Sequence, residues 1–129
     1  MTRTVSINNI VIGGNNPLAL IAGPCVIEDV EVTLSIARTL KEIAASLSIP
    51  YIFKTSYDKA NRSSLQSYRG PGLEKGLEVI QMVKEQLSVP VLSDVHRFED
   101  IQPASQVIDI LQLPAFISRQ TDCLTAVAS

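Results

Sequence analysis

Short apolar runs alternate with stretches of helical periodicity along most of the chain. The first run, residues 18–22 (LALIA), is continuously apolar and is ended by a Gly-Pro pair. Continuous apolar runs are typical of strands that are buried on both faces of a parallel sheet. Further runs at 51–56, 89–94 and 107–113 predict three more strands. Ahead of them, residues 5–7 and 10–12 flank two asparagines and predict a small hairpin.

Helices are predicted between and after these strands. The first carries an apolar stripe with spacings of four, three and four, and Pro50 closes it. The members of that stripe are Ile36, Leu40, Ile43 and Leu47. A second stripe spans 73–87, a short helix covers about 99–106, and a last helix starts near Thr121, whose hydroxyl can cap it.

A hairpin followed by four strand–helix units predicts an α/β protein with a parallel sheet covered by helices. Two closures fit this pattern, an open doubly wound sheet and an eight-stranded barrel. A complete (β/α)8 (TIM) barrel takes roughly 250 residues, and this chain has 129. We therefore expect the N-terminal half of a TIM barrel, with the hairpin in residues 1–13 and about four βα units in residues 14–129. Since the sequence stops inside a predicted helix, we expect a truncated chain.

Composition excludes several classes of function. Eleven Lys and Arg against thirteen Asp and Glu give a net charge of −2, which argues against general nucleic-acid binding. No apolar run approaches the roughly 20 residues that span a bilayer. No signal-peptide pattern is visible, so we expect a cytoplasmic protein with no membrane partner and with its two cysteines as free thiols.

Polar side chains break the apolar runs where the predicted strands end. Cys25 follows the first strand, Lys54 lies in the second, Asp94 and His96 end the third, and Gln112 lies in the fourth. In parallel α/β folds this rim is where ligands bind.

Lys54 is the most informative of these residues, because a buried lysine is costly unless it is paired with an anion or deprotonated. The functional interpretation is anion binding or Schiff-base chemistry. The alternative is a lysine on an edge strand whose ammonium reaches solvent.

The loop after the second strand offers donors suited to phosphate: Lys59, Asn61, Arg62 and Ser63. A solvated polar loop is the alternative interpretation. Arg119 lies just before the last helix on the same rim, where it points into its own site, into that of a neighbouring subunit, or simply into solvent.

Cys25 and His96 leave several roles open. The thiol is a small hydrophobe, a nucleophile or a metal ligand, and one Cys with one His and no CxxC pair is weak evidence for metal. His96, two residues from Asp94, is an acid–base group or a hydrogen-bonded rim residue.

Four segments resemble one enzyme family. Residues 53–64 read FKTSYDKANRSS, 67–74 SYRGPGLE, 93–96 SDVH and 112–122 QLPAFISRQTD. They are similar to the 3-deoxy-D-manno-octulosonate 8-phosphate (KDO-8-phosphate) synthases. The resemblance covers nearly the whole chain and corresponds to the N-terminal half of that family's chain.

The resemblance implies a TIM barrel with an N-terminal hairpin, assembled as a homotetramer. It implies a transferase that condenses phosphoenolpyruvate with arabinose 5-phosphate and water in an aldol-type reaction, releasing phosphate. The product of that family enters the lipopolysaccharide inner core, a branch of carbohydrate biosynthesis.

Roles for individual residues are also implied. Lys54 and Lys59 resemble lysines that hold phosphoenolpyruvate, and Gln112 and the Ala115 backbone border that pocket. Asn61, Arg62 and Ser63 resemble the contacts to arabinose 5-phosphate, Arg119 an arginine reaching the sugar phosphate across a subunit interface, and Asp94 a residue near the sugar. Lys54, Lys59, Asp94 and His96 are the catalytic candidates.

The segment 22–28, AGPCVIE, resembles the class of this family that binds a divalent metal (zinc, iron or manganese) through a cysteine, here Cys25. No organic cofactor is implied. The family's other metal ligands, and a Lys, an Arg and a His for phosphoenolpyruvate, belong to its C-terminal half, so we expect the 129-residue chain to be inactive and poorly soluble or associating by itself. A 3-deoxy-arabino-heptulosonate 7-phosphate synthase-type enzyme and a non-catalytic phosphate-binding remnant are the competing interpretations. The ANRSS segment speaks against the first of these two.

Overall fold

The computed structural model of the chain describes residues 3–60 and 62–129. It opens with an antiparallel hairpin of β1 (Val5–Ile7) and β2 (Ile10–Ile12). Asn8 adopts the left-handed conformation in the turn (φ 51°), which asparagine tolerates better than most residues. The predicted hairpin is confirmed.

Four parallel strands form the main sheet, in the order in which they occur along the chain. They are β3 (Leu20–Ala22), β4 (Tyr51–Lys54), β5 (Val91–Asp94) and β6 (Ile110–Gln112). Each is shorter than the apolar run that predicted it. A helix follows each strand: α1 (Val30–Ser46), α2 (Leu73–Leu87), α3 (Phe98–Ser105) and α4 (Thr121–Ala128).

The two faces of the sheet are covered differently. The larger buried cluster joins strand residues such as Phe53 and Val91 to residues of all four helices. On the opposite face, Ile52 and Leu92 pack against Ile10 of the hairpin. Among the described residues, none of the helices contributes to this second cluster. We refer to this second face, the one covered by the hairpin, as the inner face.

This arrangement decides between the two closures that the sequence allowed. An open doubly wound sheet carries helices on both faces and reverses its strand order at a switch point. Here the order does not reverse and the helices share one face. The fold is therefore α/β with a small hairpin and a parallel four-stranded sheet, as in part of a TIM barrel, and the predicted fold class is confirmed.

The apolar stripe predicted for α1 is only partly correct. Ile43 is 49% exposed and Leu47 62% exposed, whereas Thr33, Ala37 and Ala44 are buried. Apart from Leu34, which is also buried, the buried side chains are small. The helix can therefore lie close to the sheet on a face rotated from the one that the predicted stripe marks.

The helix starts also differ in part from expectation. Asp29 caps α1, because its Oδ1 accepts a hydrogen bond from the Val32 amide at 2.9 Å. Thr121 does not cap α4: it is the first helical residue, and Gln120 holds the cap position without a side-chain hydrogen bond. In the described part of the chain, none of the helices is long and apolar enough to cross a membrane.

Gly76 allows α2 to pack closely on the end of β4. A Cβ atom at this position would lie 2.2 Å from Tyr57 Cβ and 3.2 Å from Tyr57 Cα. Tyr57 is itself buried. The helix can therefore reach its position only with glycine here.

We expect Gly76→Ala to destabilise the chain. In an ordinary helix, alanine is more favourable than glycine by about 1 kcal/mol. Here the overlap with Tyr57 forces backbone shifts that typically cost about 1–3 kcal/mol. Urea unfolding measures the net change, and the exposed Glu78→Ala in the same helix is the control with little expected effect. A higher stability for Gly76→Ala would contradict this packing.

Candidate active site

Strand register brings three of the predicted site residues to one edge of the inner face. Lys54 pairs with Leu92, and Asp94 pairs with Gln112. Side chains alternate along a strand, so Lys54, Asp94 and Gln112 share the face of Ile52, Leu92 and Ile110. β4 lies between β3 and β5, so the edge-strand explanation for Lys54 is wrong.

Asp94 is the centre of a polar cluster at this edge. The Ser56 hydroxyl donates a short hydrogen bond to Asp94 Oδ1. On the other oxygen, Oδ2, His96 Nε2 lies at 3.2 Å and Lys59 Nζ at 3.9 Å. All four side chains are largely buried, with Lys59 the most exposed at 15%. The structure thus brings Lys59 to Asp94 and His96, which lie far from it in the sequence.

The surroundings of Asp94 keep it ionised. Burial raises the pKa of this carboxyl, but the contacts with His96 and Ser56 and the positive charge of Lys59 outweigh burial and lower the pKa to about 2. At neutral pH the side chain therefore accepts hydrogen bonds and does not supply a proton. This favours a positioning or binding role for Asp94 over a general acid.

His96 lies between two aromatic rings. Tyr57 meets it edge-on at 5.6 Å between centroids, and Phe116 stacks on it at 6.3 Å. Within the described residues neither ring nitrogen makes a hydrogen bond, although Nε2 is close to Asp94. Nε2 faces Asp94, so Nδ1 is the nitrogen of this buried imidazole that is available to a substrate group.

Tyr57 itself is tied to α3. Its hydroxyl donates to Asp100 Oδ2 at 2.9 Å, and its pKa is raised by burial first and then by the Asp100 carboxylate. The phenol therefore stays protonated, and it serves as a fixed wall of the cluster.

A cavity of about 350 Å³ brings two other predicted residues together. Cys25, which is exposed, and Arg62 line it together with Glu28 and Asp29. Lys54 does not line this cavity, but its carbonyl lies against Gly23, two residues from Cys25. The cavity therefore adjoins the same edge of the sheet.

The donors present do not complete a metal site. Across residues 3–60 and 62–129 there is no group of three or more His, Cys, Asp or Glu side chains placed to hold an ion. Asp29, beside Cys25, already accepts the capping hydrogen bond of α1. Cys25 can supply one thiolate, whereas structural and catalytic zinc sites use three or four protein ligands.

The remaining predicted residues are solvent-facing or outside the described structure. Ser63, Gln112, Ala115 and Arg119 are exposed. Arg119 lies in the turn between β6 and α4, on the same side of the sheet as the strand ends. Asn61 lies outside the described residues.

Sequence reasoning missed Ser56, Tyr57 and Phe116. Ser56 was foreseeable, because it lies two residues beyond Lys54 and extends the same alternation to the position opposite Asp94. The stacking of Phe116 on His96 depends on the path of the turn after β6, for which the sequence carries no local signal.

The low pKa of Asp94 predicts a specific loss of stability in acid. The folded carboxyl titrates near 2 and the unfolded one near 3.8, so its contribution is complete above pH ~4 and is lost as the pH falls toward ~2. The shift corresponds to roughly 2 kcal/mol. In Asp94→Asn this part of the pH dependence should disappear, as measured by urea unfolding between these pH values.

Glu42→Gln, on the exposed side of α1, is the matched control and should retain the acid dependence of the unmodified chain. An Asp94→Asn chain with the same acid dependence as the unmodified one would show that the cluster does not stabilise the ionised carboxyl.

Sequence comparison with known proteins identifies the family of this chain. The chain matches the DAHP synthetase I family over residues 2–129. It is 60% identical over 129 residues to the 2-dehydro-3-deoxyphosphooctonate aldolase of Desulfosudis oleivorans, covering all of this chain and 46% of that protein. Proteins of the same name from Geobacter metallireducens and Geotalea daltonii are 56% and 54% identical over 128 residues, covering 99% of this chain and 47% of each relative.

The chain spans about half the length of these curated relatives. The family match covers nearly every residue, and the fold has the parallel sheet with a polar cluster at its carboxyl edge. The chain therefore belongs to the DAHP synthetase I family.

Proposed function

We propose that this chain is the N-terminal half of a 3-deoxy-D-manno-octulosonate 8-phosphate synthase, a transferase of the cytoplasm. The reaction joins phosphoenolpyruvate to arabinose 5-phosphate, consumes water and releases phosphate. The observation that carries the proposal is the 54–60% identity, over essentially the full chain, to three relatives that share the name 2-dehydro-3-deoxyphosphooctonate aldolase. The product would serve lipopolysaccharide biosynthesis, and the working assembly would be a homotetramer.

Electrostatics at the strand ends support this chemistry. The two substrates bring two phosphates and a carboxylate to one place, and two like charges 4 Å apart repel by about 4 kcal/mol at an effective dielectric of 20. Lys54 lies at the carboxyl edge of the inner face, and Lys59 lies 3.9 Å from Asp94 at the same edge. We assign both cations to phosphoenolpyruvate. Gln112 and the Ala115 backbone would border the same anion.

The sugar phosphate is assigned to the loop after β4. Arg62 would bind its phosphate through the two-pronged guanidinium, with Ser63 and Asn61 as further donors. Arg119 would reach the sugar phosphate of a neighbouring subunit.

Asp94 and His96 would contact the end of the sugar that reacts. An ionised Asp94 accepts hydrogen bonds from hydroxyl groups and so fixes the aldehyde against the enol carbon. His96, whose Nδ1 has no partner among the described residues and whose Nε2 faces Asp94, would exchange a proton there.

A hybrid enzyme tests the proposal directly. We suggest joining residues 1–129 to the part of the Desulfosudis oleivorans relative that this chain does not match, hereafter the hybrid enzyme. With phosphoenolpyruvate and arabinose 5-phosphate it should release phosphate and form the eight-carbon acid phosphate. No turnover, while the parent relative is active in the same assay, would contradict the proposal.

Arg62→Ala in the hybrid enzyme should raise the KM for arabinose 5-phosphate far more than that for phosphoenolpyruvate. Losing a charge-assisted phosphate contact costs about 1.5–3 kcal/mol. Arg38→Ala on α1, whose guanidinium contacts Gln86, is the matched control. An unchanged KM for the sugar phosphate would remove Arg62 from this role, and activity with four-carbon aldose phosphates instead would favour a heptulosonate-type enzyme.

Cys25 is our candidate for this half's contribution to a divalent metal of the zinc, iron or manganese type. Elemental analysis of the purified hybrid enzyme should find such a metal, and Cys25→Ala should lose it together with activity. Cys123→Ala, which changes a buried thiol in α4, is the control and should retain the metal. Full turnover in a chelator would contradict this role of Cys25.

A further inference from the structure

The connection between β4 and α2 is a long loop that is closed at its base. Lys59, Arg62 and Ser63 lie within it. At the base, the Tyr57 carbonyl accepts a hydrogen bond from the Gly72 amide at 3.1 Å. Gly70 (φ 119°) lies against the same carbonyl, where a Cβ atom would come within 2.4 Å of the oxygen. The two ends of the loop are therefore fixed to each other.

One residue beyond this base, Asp58 and Arg69 form a two-point ion pair across the loop. Arg69 Nε donates to Asp58 Oδ1 at 2.9 Å, and Arg69 Nη2 donates to Oδ2 at 2.7 Å. The Asp58 side chain is 19% exposed and that of Arg69 is 51% exposed. Exposed ion pairs usually contribute little to global stability, but the paired fork geometry fixes how the two side chains lie relative to each other.

The ion pair also sets the charges that the loop presents. Asp58 is next to Lys59 in the chain, yet both of its oxygens are occupied by Arg69. Lys59 instead lies near Asp94, at 3.9 Å. In the part of the chain that the structure describes, Arg62 forms no ion pair, so its charge is available to an anion.

We propose that Asp58 and Arg69 are positioning residues, forming a clamp that holds Arg62 and Ser63 in the loop ready for the phosphate of a phosphorylated sugar. This inference rests on the proposed function for the identity of the ligand. Ordering a loop on binding weakens affinity, and a loop ordered in advance avoids that loss. The clamp also keeps the Asp58 carboxylate from competing with the sugar phosphate for Arg62.

Hydrogen exchange on the full 129-residue chain tests the clamp without reference to catalysis. In Asp58→Asn the amides of residues 59–68 should exchange at least about tenfold faster, while the unfolding midpoint stays within about 2 °C. Asp109→Asn is the matched control, because it breaks another ion pair, with Lys84 at 2.9 Å, that lies away from the loop. This substitution should lower the unfolding midpoint and leave hydrogen exchange in the loop unchanged.

Kinetics of the hybrid enzyme give the second measurement. Asp58→Asn and Arg69→Gln should each raise the KM for arabinose 5-phosphate by roughly tenfold. The KM for phosphoenolpyruvate should change by less than about twofold, because Lys59 keeps its separate contact with Asp94. The double variant should be no worse than either single variant, because both remove the same interaction.

The outcomes separate the clamp from the proposed function. Equal rises in both KM values, additive effects of the two substitutions, or unchanged exchange in the loop would overturn the clamp. If the unmodified hybrid enzyme is inactive, the proposed function fails, and the exchange experiment alone decides the clamp: faster exchange in Asp58→Asn supports it and unchanged exchange refutes it.

Discussion

Parallel pairing of four strands in chain order is the constraint on which the candidate site depends. It brings the carboxyl ends of β3, β4, β5 and β6 to one edge, although these ends are separated by dozens of residues in the sequence. Hydrophobic burial on both faces holds the register: helices cover one face and the hairpin covers part of the other. A slip of one residue would move Lys54 and Asp94 from the inner face into the helix layer.

Charge balance at that edge follows from the same register. Ser56 falls opposite Asp94 because the two strands keep their pairing beyond the last ladder residues, and its hydroxyl helps to hold the carboxylate ionised. The carboxylate in turn anchors Lys59 and lies against His96. One buried negative charge therefore organises a cation and an imidazole that would otherwise be free to point elsewhere.

Most of the fold was predictable because it depends on local periodicity. The hairpin, the four strands and the four helices all appear where apolar runs and stripes indicated them. The buried face of α1 was not predictable in this way. Its alanines and threonine give a weaker apolar pattern than the exposed Ile43 and Leu47. The predicted cap of α4 was also wrong, because the turn before the helix places Gln120, and not Thr121, at the cap position. Within the site, the strand-end residues were predictable from the rim rule, and Ser56 follows from the same strand alternation. The contacts of Phe116 and Arg69 depend on loop paths that leave no periodic signal.

Tyr57 connects parts of the molecule that could otherwise move independently. Its carbonyl holds the base of the loop, its β-carbon lies against α2, and its hydroxyl reaches Asp100 on α3. The sheet and helices are thereby mechanically separated from the loop beyond Tyr57, the segment for which we propose ligand binding. Insertions or replacements in residues 59–68 would add only a small entropic cost for a longer closed loop and would leave the sheet undisturbed. Ligand preference in proteins of this architecture can therefore diversify through that segment while the barrel half that carries it stays the same.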